Sequence, residues 1–276
     1  MPNPKKNNKQ NYRNLTSRFA GKVSNMKKPK FLVKAIISVY KRRYKIDLND
    51  FVLPKNGFVS FNSFFTRKFK EKARPIGEGI ISPIDGFLFD FGKILPENKI
   101  YVKYKNYYID DLIIDYDENL NSYVVFYLSP ADYHRVHASF DMKINSALYL
   151  PGTLRPVREK TVNKRNRVYC RNERIVLSGD SEYGKFYCVL VGALLVGKVK
   201  LSFDSGLQTN IKRGVMAEKK YEKEIIIKKG EEIGFFEMGS SVIVLLESEI
   251  FTKMEIDLNS PLKVGQELFK THHFDL

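Results

Sequence analysis

Through most of the chain after residue 76, short runs of β-branched and aromatic residues alternate with Gly, Asn, Asp and Pro. Runs of this kind, each followed closely by turn residues, predict strands of an antiparallel sheet. One late run, 242–246, is apolar at every position, as a strand buried on both faces requires. We therefore predict a mainly β (α+β) body. Its expected strands are Gly86–Phe91, Lys99–Tyr104, Tyr123–Leu128, Ile144–Leu150, Arg174–Leu177, Phe186–Val191, Lys198–Phe203 and Lys223–Ile227.

The pattern is different near the N-terminus, where apolar residues recur every three or four positions between 29 and 46. Basic side chains surround this stripe, which consists of Leu32, Ala35, Ile36 and Val39. The pattern predicts an amphipathic helix that either lies in the surface of an anionic bilayer or packs on the rest of the protein. A second short helix is predicted for 60–70. We predict two parts, a basic, helical, membrane-associating segment 1–70 and a β-rich catalytic domain 71–276.

The positive charge of the chain is concentrated at one end. Residues 1–46 contain 14 Lys or Arg and no Asp or Glu, whereas the whole chain has 47 basic and 31 acidic residues and a formal net charge of +16. Such a segment is typical of polyanion binding, and each basic group near a charged bilayer contributes about 1 kcal/mol. Without an aromatic-rich sheet motif, nucleic acid is not an expected partner. We expect an anionic membrane surface.

Other features limit how the protein meets that membrane. The longest apolar run is too short to cross about 30 Å of hydrocarbon, and the basic start is not followed by the apolar core of a signal peptide. The two cysteines, Cys170 and Cys188, form no disulfide framework, which fits a reducing compartment. We therefore expect a peripheral membrane protein on the cytoplasmic face of the cell membrane.

Candidate chemistry lies at three separate places in the chain. His134 and His137 follow a predicted strand and a proline turn, and imidazoles titrate near neutral pH. Their spacing also suits a metal pair, but no Cys or Glu cluster accompanies them, so acid–base use is preferred and no metal is expected. Asp85 lies in a Pro/Gly turn, and Ser240 follows Gly239 between two apolar runs. Asp85, His137 and Ser240 supply the three residue types of an Asp-His-Ser set. Such a set is recognised by the geometry of its side chains and not by the order of its residues in the sequence.

These residues belong to an ordered series of motifs. The series is Phe61-Asn62-Ser63-Phe64-Phe65-Thr66-Arg67, Arg74-Pro75-Ile76, Ser82-Pro83-Ile84-Asp85-Gly86, Tyr133-His134-Arg135-Val136-His137, Asn172-Glu173-Arg174, Gly192 to Val199, and Lys229-Gly230-Glu231-Glu232-Ile233-Gly234 leading to Gly239-Ser240. In this order the motifs resemble those of the phosphatidylserine decarboxylases, pyruvoyl-dependent enzymes that make phosphatidylethanolamine. The resemblance covers most of the chain.

The resemblance implies a proenzyme that cuts itself between Gly239 and Ser240. His137, oriented by Asp85, removes the Ser240 proton, and the oxygen attacks the Gly239 carbonyl. The cut leaves a large chain, 1–239, and a small chain, 240–276, which carries a pyruvoyl group made from Ser240. That group forms a Schiff base with phosphatidylserine and accepts the electrons released as CO2 departs.

The resemblance also implies how the cut protein is organised. The two chains stay associated in an antiparallel, barrel-sandwich-like body, and a homodimer is a further expectation. His134 is expected to reprotonate the substrate carbanion or to hold its phosphate, with Tyr133 as a second substrate-binding residue and His137 as the competing assignment. The family usually has Gly-Ser-Thr at the cut, and here Ser241 takes the place of threonine with its hydroxyl retained.

Two other functions stay open as alternatives. A non-enzymatic protein that binds anionic lipid on the same scaffold uses the basic helix and is never cut. A metal-dependent hydrolase uses His134, His137 and Asp85, and its activity falls when a chelator is added. Both alternatives keep the bond between Gly239 and Ser240, whereas the decarboxylase breaks it.

Overall fold

The computed structural model describes residues 16–17, 19–194, 198–211, 214–237, 240–250 and 256–269, and strands predominate in them, which confirms the predicted mainly β body. The strands are β1 (Ile80–Ile81), β2 (Gly86–Lys93), β3 (Lys99–Val102), β4 (Lys105–Tyr108), β5 (Ser122–Leu128), β6 (Arg135–His137), β7 (Met142–Leu150), β8 (Arg174–Ser181), β9 (Gly184–Gly192), β10 (Val199–Leu201), β11 (Ala217–Ile227), β12 (Glu232–Phe236), β13 (Ser240–Leu246), β14 (Pro261–Leu262) and β15 (Glu267–Phe269). The helices are α1 (Lys30–Tyr44), α2 (Phe61–Phe65), α3 (Ile109–Leu112), α4 (Glu159–Lys164) and α5 (Val168–Arg171).

The main element is an eight-stranded sheet with the strand order β11, β7, β8, β9, β13, β5, β2, β14. Neighbouring strands in it run antiparallel throughout, as the closely spaced strands of the sequence predict. The outer strand β11 carries exposed Lys and Glu side chains along most of its length, and such charges discourage another chain from pairing with an open edge.

Both faces of this large sheet are covered, which gives a sandwich-like arrangement. One face packs against a three-stranded sheet with the order β10, β12, β6, and the shared core includes Phe126, Val136 and Phe236. The other face packs against the hairpin of β3 and β4 and the short helices, with Tyr107 and Tyr169 at its centre. Every strand in the middle of the large sheet therefore has two dry faces.

Strand β13 is the clearest case of such a strand. It pairs with β5 on one side and β9 on the other over all seven of its residues, and all seven are buried. The predicted apolar strand 242–246 is thus confirmed. Because side chains alternate along a strand, Ser240 shares the face of Val242, toward the three-stranded sheet, and Ser241 shares the face of Ile243, toward the helices.

The predicted basic helix is present as α1. It ends at Tyr44 because Lys45 adopts a left-handed conformation with φ of 52°, and the amide hydrogens after it return to carbonyls of the last turn. Only Val33 of this helix is buried, although the Tyr40 hydroxyl donates a hydrogen bond to the Pro130 carbonyl, 2.7 Å away. Across the described residues, every helix falls short of the length and apolar character needed to cross a membrane.

The second helix is shorter than the sequence predicts. A capping box between Ser60 and Ser63 starts α2, but the helix stops at Phe65 rather than continuing to residue 70. Beyond it the backbone is extended and pairs with an earlier segment, since the Val52 amide donates to the Lys68 carbonyl at 2.9 Å. The prediction for residues 66–70 is wrong because this pairing is tertiary, and helical spacing in the sequence carries no sign of it.

Candidate active site

Ser240 is the first residue of β13, and its hydroxyl is enclosed by the protein. Its backbone pairs with Leu128 of β5 and with Gly192 of β9. The Ser240 Oγ is buried and, among the described residues, has no hydrogen-bond partner. A buried hydroxyl without a partner costs about 1–3 kcal/mol. The Ser139 and Ser241 hydroxyls are in the same state, so what distinguishes Ser240 is its position on the strand. Gly239, the other residue of the predicted cut, lies outside the described residues.

His134 offers a free basic nitrogen in the same buried region. Its Nδ1 lies 2.9 Å from the Asp132 carbonyl oxygen, and because that oxygen only accepts, Nδ1 carries the hydrogen. Nε2 therefore keeps its lone pair, and it is buried without a partner among the described residues. Burial lowers the pKa of His134 to about 3, so the ring is neutral at physiological pH. The ring of Phe65 packs on it, with centroids 4.0 Å apart.

His137 has both ring nitrogens engaged. Nδ1 donates to the Gly230 carbonyl at 2.7 Å, so Nε2 is the basic nitrogen. Nε2 accepts a hydrogen bond from the Tyr133 hydroxyl at 2.9 Å. Burial lowers the pKa of His137 and keeps the ring neutral, against smaller opposing effects from the Gly230 carbonyl and nearby carboxylates. Gly230 has φ of +83°, a conformation that glycine adopts without strain, and this turn aims its carbonyl at the imidazole.

The Asp85 carboxylate is held by an arginine rather than by the imidazole. Arg74 donates to it from Nη2 at 2.6 Å and from Nε at 3.2 Å, and the Val264 amide donates at 2.8 Å. The Asp85 turn still contacts His137, because the Pro83 carbonyl accepts the His137 backbone N–H at 2.9 Å. Asp85 therefore acts on the His137 ring through its charge, which raises the pKa of that ring slightly.

Backbone links bring Ser240 and both histidines to one junction between the two sheets. Ser240 pairs with Leu128. His134 follows Leu128 in the chain, and its carbonyl accepts the N–H of Phe236, which precedes Ser240, at 2.9 Å. His137 pairs with Glu232 at the other end of the same short ladder. Among the described residues, no hydrogen bond joins the side chains of Asp85, His137 and Ser240 to one another. The strands that carry Ser240 and His137 thus adjoin, but the described residues show none of the side-chain hydrogen bonds of a working triad.

Comparison with known proteins identifies the family. The family model for phosphatidylserine decarboxylase matches residues 61–270. The chain belongs to the phosphatidylserine decarboxylase family. A phosphatidylserine decarboxylase proenzyme of Campylobacter jejuni subsp. jejuni is 36% identical over 262 residues, which cover 92% of this chain and 97% of that relative. One from Helicobacter pylori strain J99 is 34% identical over 265 residues, which cover 94% of this chain and 97% of the relative.

Membership of the phosphatidylserine decarboxylase family confirms the prediction of a decarboxylase. A mitochondrial phosphatidylserine decarboxylase proenzyme of Caenorhabditis elegans is also similar, with 34% identity over 266 residues that cover 92% of this chain and 70% of that relative. The family match begins at the first residue of α2, so the basic segment with α1 lies before it.

Sequence reasoning missed several groups that shape the site. The Gly230 carbonyl and the Tyr133 hydroxyl hold the His137 ring, and Arg74 holds Asp85. Arg67, at the end of an aromatic motif, is buried beside His134. Both Arg67 and Arg74 could have been noticed from the sequence, because they occur in motifs that are otherwise apolar or turn-forming. A guanidinium in such a motif needs a specific partner.

The histidines do not assemble a metal site within the described part of the chain. No group of three or more His, Cys, Asp or Glu side chains in those residues is placed to hold an ion. His134 and His137 each turn Nδ1 toward a backbone carbonyl, and the remaining nitrogen of His137 is bonded to Tyr133. The geometry therefore favours acid–base chemistry for both rings.

Proposed function

We propose that this protein is a phosphatidylserine decarboxylase proenzyme that cuts itself between Gly239 and Ser240 and then converts phosphatidylserine to phosphatidylethanolamine. The observation that carries the proposal is the buried Ser240 Oγ, unpartnered among the described residues and lying on the strand face that turns toward the histidine-bearing sheet. The Ser241 Oγ is also buried without a hydrogen-bond partner among the described residues, but it lies on the opposite face, beside Tyr169. The alternation of the strand therefore favours Ser240 as the reactive hydroxyl.

In the proposed cleavage, His137 takes the Ser240 proton on Nε2 while the Ser240 Oγ bonds to the Gly239 carbonyl carbon. The peptide C–N bond breaks and an ester forms, with the proton passed to the freed nitrogen. The Ser240 α-hydrogen is then lost, and the bond between the Ser240 side-chain carbon and the ester oxygen breaks. Water finally releases the nitrogen as ammonia. Because the reacting groups belong to one chain, proximity replaces substrate binding. The negative charge of Asp85 stabilises the His137 cation.

The buried residues around Ser240 fit the pyruvoyl group that the family implies, since they offer an enclosed position and a nearby imidazole with a free nitrogen. When formed, the group supplies an electron sink for decarboxylation of an amine-bearing substrate. We propose that His134 Nε2 delivers to the α-carbon the proton that this carbon takes up once CO2 has left. Its lowered pKa makes the protonated ring a strong acid, which favours this delivery.

Strand β13 supports the association of the two product chains. The small chain would begin with this strand, which lies between two strands of the large chain and pairs with both along its full length. All its side chains are buried. Separation of the chains would expose that apolar strand on both faces and both edges, so we propose that they stay together after the cut.

The surface of α1 supports a peripheral contact with anionic membrane. Phe31 and Val39 are 75% and 69% exposed, although both are apolar. Basic side chains lie on the same helix, with Lys41, Arg42 and Arg43 in its last turn. Each large apolar side chain inserted into the bilayer interface contributes about 1.5–3 kcal/mol, and the charges add attraction to anionic lipid. This arrangement favours the membrane interpretation of the helix over packing on the body.

Intact-mass measurement of the purified protein tests the proposal. The wild-type protein should give two fragments, the small one with a ketone in place of its N-terminal amine, and the Ser240→Ala variant should stay whole. The matched variant Ser241→Ala should still be cut, because that hydroxyl lies on the opposite face of the strand. A wild-type chain that stays whole, or one in which Ser241→Ala alone blocks the cut, contradicts the proposal.

A further inference from the structure

Arg67 is a buried cation that forms no ion pair with any of the described residues. Its side chain follows α2, and the residue is 4% exposed. Nη2 makes one long hydrogen bond, 3.4 Å, to the Asp132 carbonyl oxygen, and Nε has no partner among the described residues. The guanidinium lies 4.3 Å from the centre of the Phe51 ring and 5.5 Å from that of Phe64. These contacts leave most of its five donors unused, which is costly for a buried charge.

Other buried arginines of the described chain are satisfied. Arg135 forms two hydrogen bonds to Glu232, at 2.7 and 2.8 Å, and two more to the Thr66 carbonyl. Arg174 donates to four backbone carbonyls. Arg67 forms no ion pair within the described residues. The Asp85 and Asp132 carboxylates lie near enough to raise its pKa but accept no hydrogen bond from it there, so its donors are available to a ligand. Burial lowers its pKa to about 10, so it is still protonated at neutral pH.

The position of Arg67 ties it to the candidate active site. The Asp132 carbonyl oxygen that it contacts also accepts the hydrogen bond from His134 Nδ1. Because both bonds end on one oxygen, the guanidinium nitrogen and the imidazole nitrogen are no more than about 6 Å apart. Arg67 therefore lies close to the ring of His134.

Arg67 also lines an open groove with mostly apolar walls. The groove has a volume of about 340 Å³, and Val52, Pro54, Phe58 and Val59 form much of its wall. Val52 and Val59 are at least half exposed, so apolar surface continues to the solvent side. Two further cations line the groove, the exposed Lys68 and Arg135, which is paired with Glu232. An apolar groove with an unpaired buried guanidinium in its wall suits a molecule with an anionic group next to a hydrocarbon-rich part.

We propose that Arg67 binds the phosphodiester of the phospholipid substrate, and that the groove takes the glycerol and the first acyl carbons next to it. This inference rests on the proposed function and adds its substrate-positioning residue. A phosphodiester is ionised at all physiological pH values and accepts two parallel hydrogen bonds from one guanidinium. One phosphate oxygen and one carbon separate it from the serine α-carbon, so an anchored phosphate keeps the reacting carbon near His134.

The carboxylate of the serine headgroup is the competing anion, and catalysis argues against it. That group loses its charge as CO2 leaves. A fixed cation on it stabilises the substrate more than the transition state, which slows the reaction. The phosphodiester keeps its charge throughout, so binding it costs the chemical step nothing.

A binding experiment on the uncut Ser240→Ala chain tests the proposal without any turnover. The probes are glycerophosphoserine, which carries the phosphodiester, and free serine, which lacks it, each titrated calorimetrically. Changing Arg67 to Met in this background should weaken glycerophosphoserine binding at least tenfold and leave the response to serine unchanged. The matched variant Lys70→Met, which removes an exposed charge three residues away and outside the lining of the groove, should bind as the parent does. Equal loss for both probes assigns the carboxylate instead, and no loss for either overturns the proposal.

The cleaving protein gives an independent readout. Arg67→Met should still be cut into two fragments, because within the described residues Arg67 forms no hydrogen bond to Ser240 or His137. The KM for a soluble short-chain phosphatidylserine should rise at least tenfold, with a much smaller change in kcat. Arg67→Lys should restore part of the affinity, since lysine keeps the charge but not the paired donors. Methionine fits an apolar site and removes an unpaired charge, so the melting temperature should not fall. An unchanged KM refutes the role of Arg67, whereas a wild-type chain that stays whole refutes the proposed function and leaves the binding result valid.

Discussion

The hydrogen bond from Tyr133 to His137 predicts that the tyrosine hydroxyl restrains self-cleavage. In the proposed mechanism, His137 Nε2 must take the Ser240 proton, yet this nitrogen accepts the Tyr133 hydroxyl at 2.9 Å. Tyr133→Phe removes that donor but keeps the ring, which stacks on Phe69 with centroids 3.9 Å apart. A hydrogen bond contributes about 1 kcal/mol net, so its loss should raise the cleavage rate by about fivefold.

The assay follows the appearance of the two fragments on a gel after synthesis of the chain in a cell-free system. Tyr40→Phe is the matched control, since it removes a hydroxyl bonded to the Pro130 carbonyl and should cleave at the wild-type rate. Tyr133→Phe should also lower the melting temperature slightly, because His137 Nε2 loses its partner. A Tyr133→Phe chain that cleaves at the wild-type rate or more slowly refutes the restraint, and slower cleavage would place the hydroxyl in the proton path.

Two further predictions concern pH and the membrane. His134 has a folded pKa of about 3 against an ordinary value of 6.5, so the unfolded chain binds a proton that the folded protein does not, and stability should fall between pH 6.5 and 3 by up to about 1.4 kcal/mol per pH unit. Urea unfolding should show a shallower pH slope for His134→Phe, and an equal slope contradicts this reasoning. Replacing Phe31 and Val39 with serine should reduce binding to anionic vesicles in sedimentation at least tenfold and leave turnover of a soluble short-chain substrate unchanged, whereas Val215→Ser, at a similarly exposed position, should bind as the wild type does. Equal vesicle binding by all three proteins refutes the membrane role of α1.

Local patterns in the sequence were sufficient to predict the β body and the strand that starts at Ser240. Strand β13 is recognisable because it is apolar at every position, and that property follows from burial on both faces, whichever strands lie beside it. The α1 helix was predictable for the same reason, since helical spacing and a basic last turn are local features. Residues 66–70 were not predictable, because they pair with a segment about 18 residues earlier in the chain.

The site, too, was predictable from the sequence in part. The residue types and their order identified Asp85, His137 and Ser240 as candidates, because acid–base and nucleophilic groups in an apolar setting are unusual. The partners of these groups were not accessible from spacing. Asp85 lies closer in sequence to Arg74 than to His137 and pairs with the arginine, whereas the Gly230 carbonyl that orients His137 comes from 93 positions along the chain.

By itself, the sequence determined the fold class, the family and the candidate reactive residues, because hydrophobic periodicity and side-chain chemistry are local properties of the chain. Only the tertiary structure decided which of the two serines lies on the face toward the three-stranded sheet. Within the described residues, it also decided which imidazole nitrogen has no hydrogen-bond partner and which buried arginine forms no ion pair. Strand pairing sets the face of each side chain, and burial sets the cost of leaving a polar atom without a partner. Both depend on residues that are distant in the sequence.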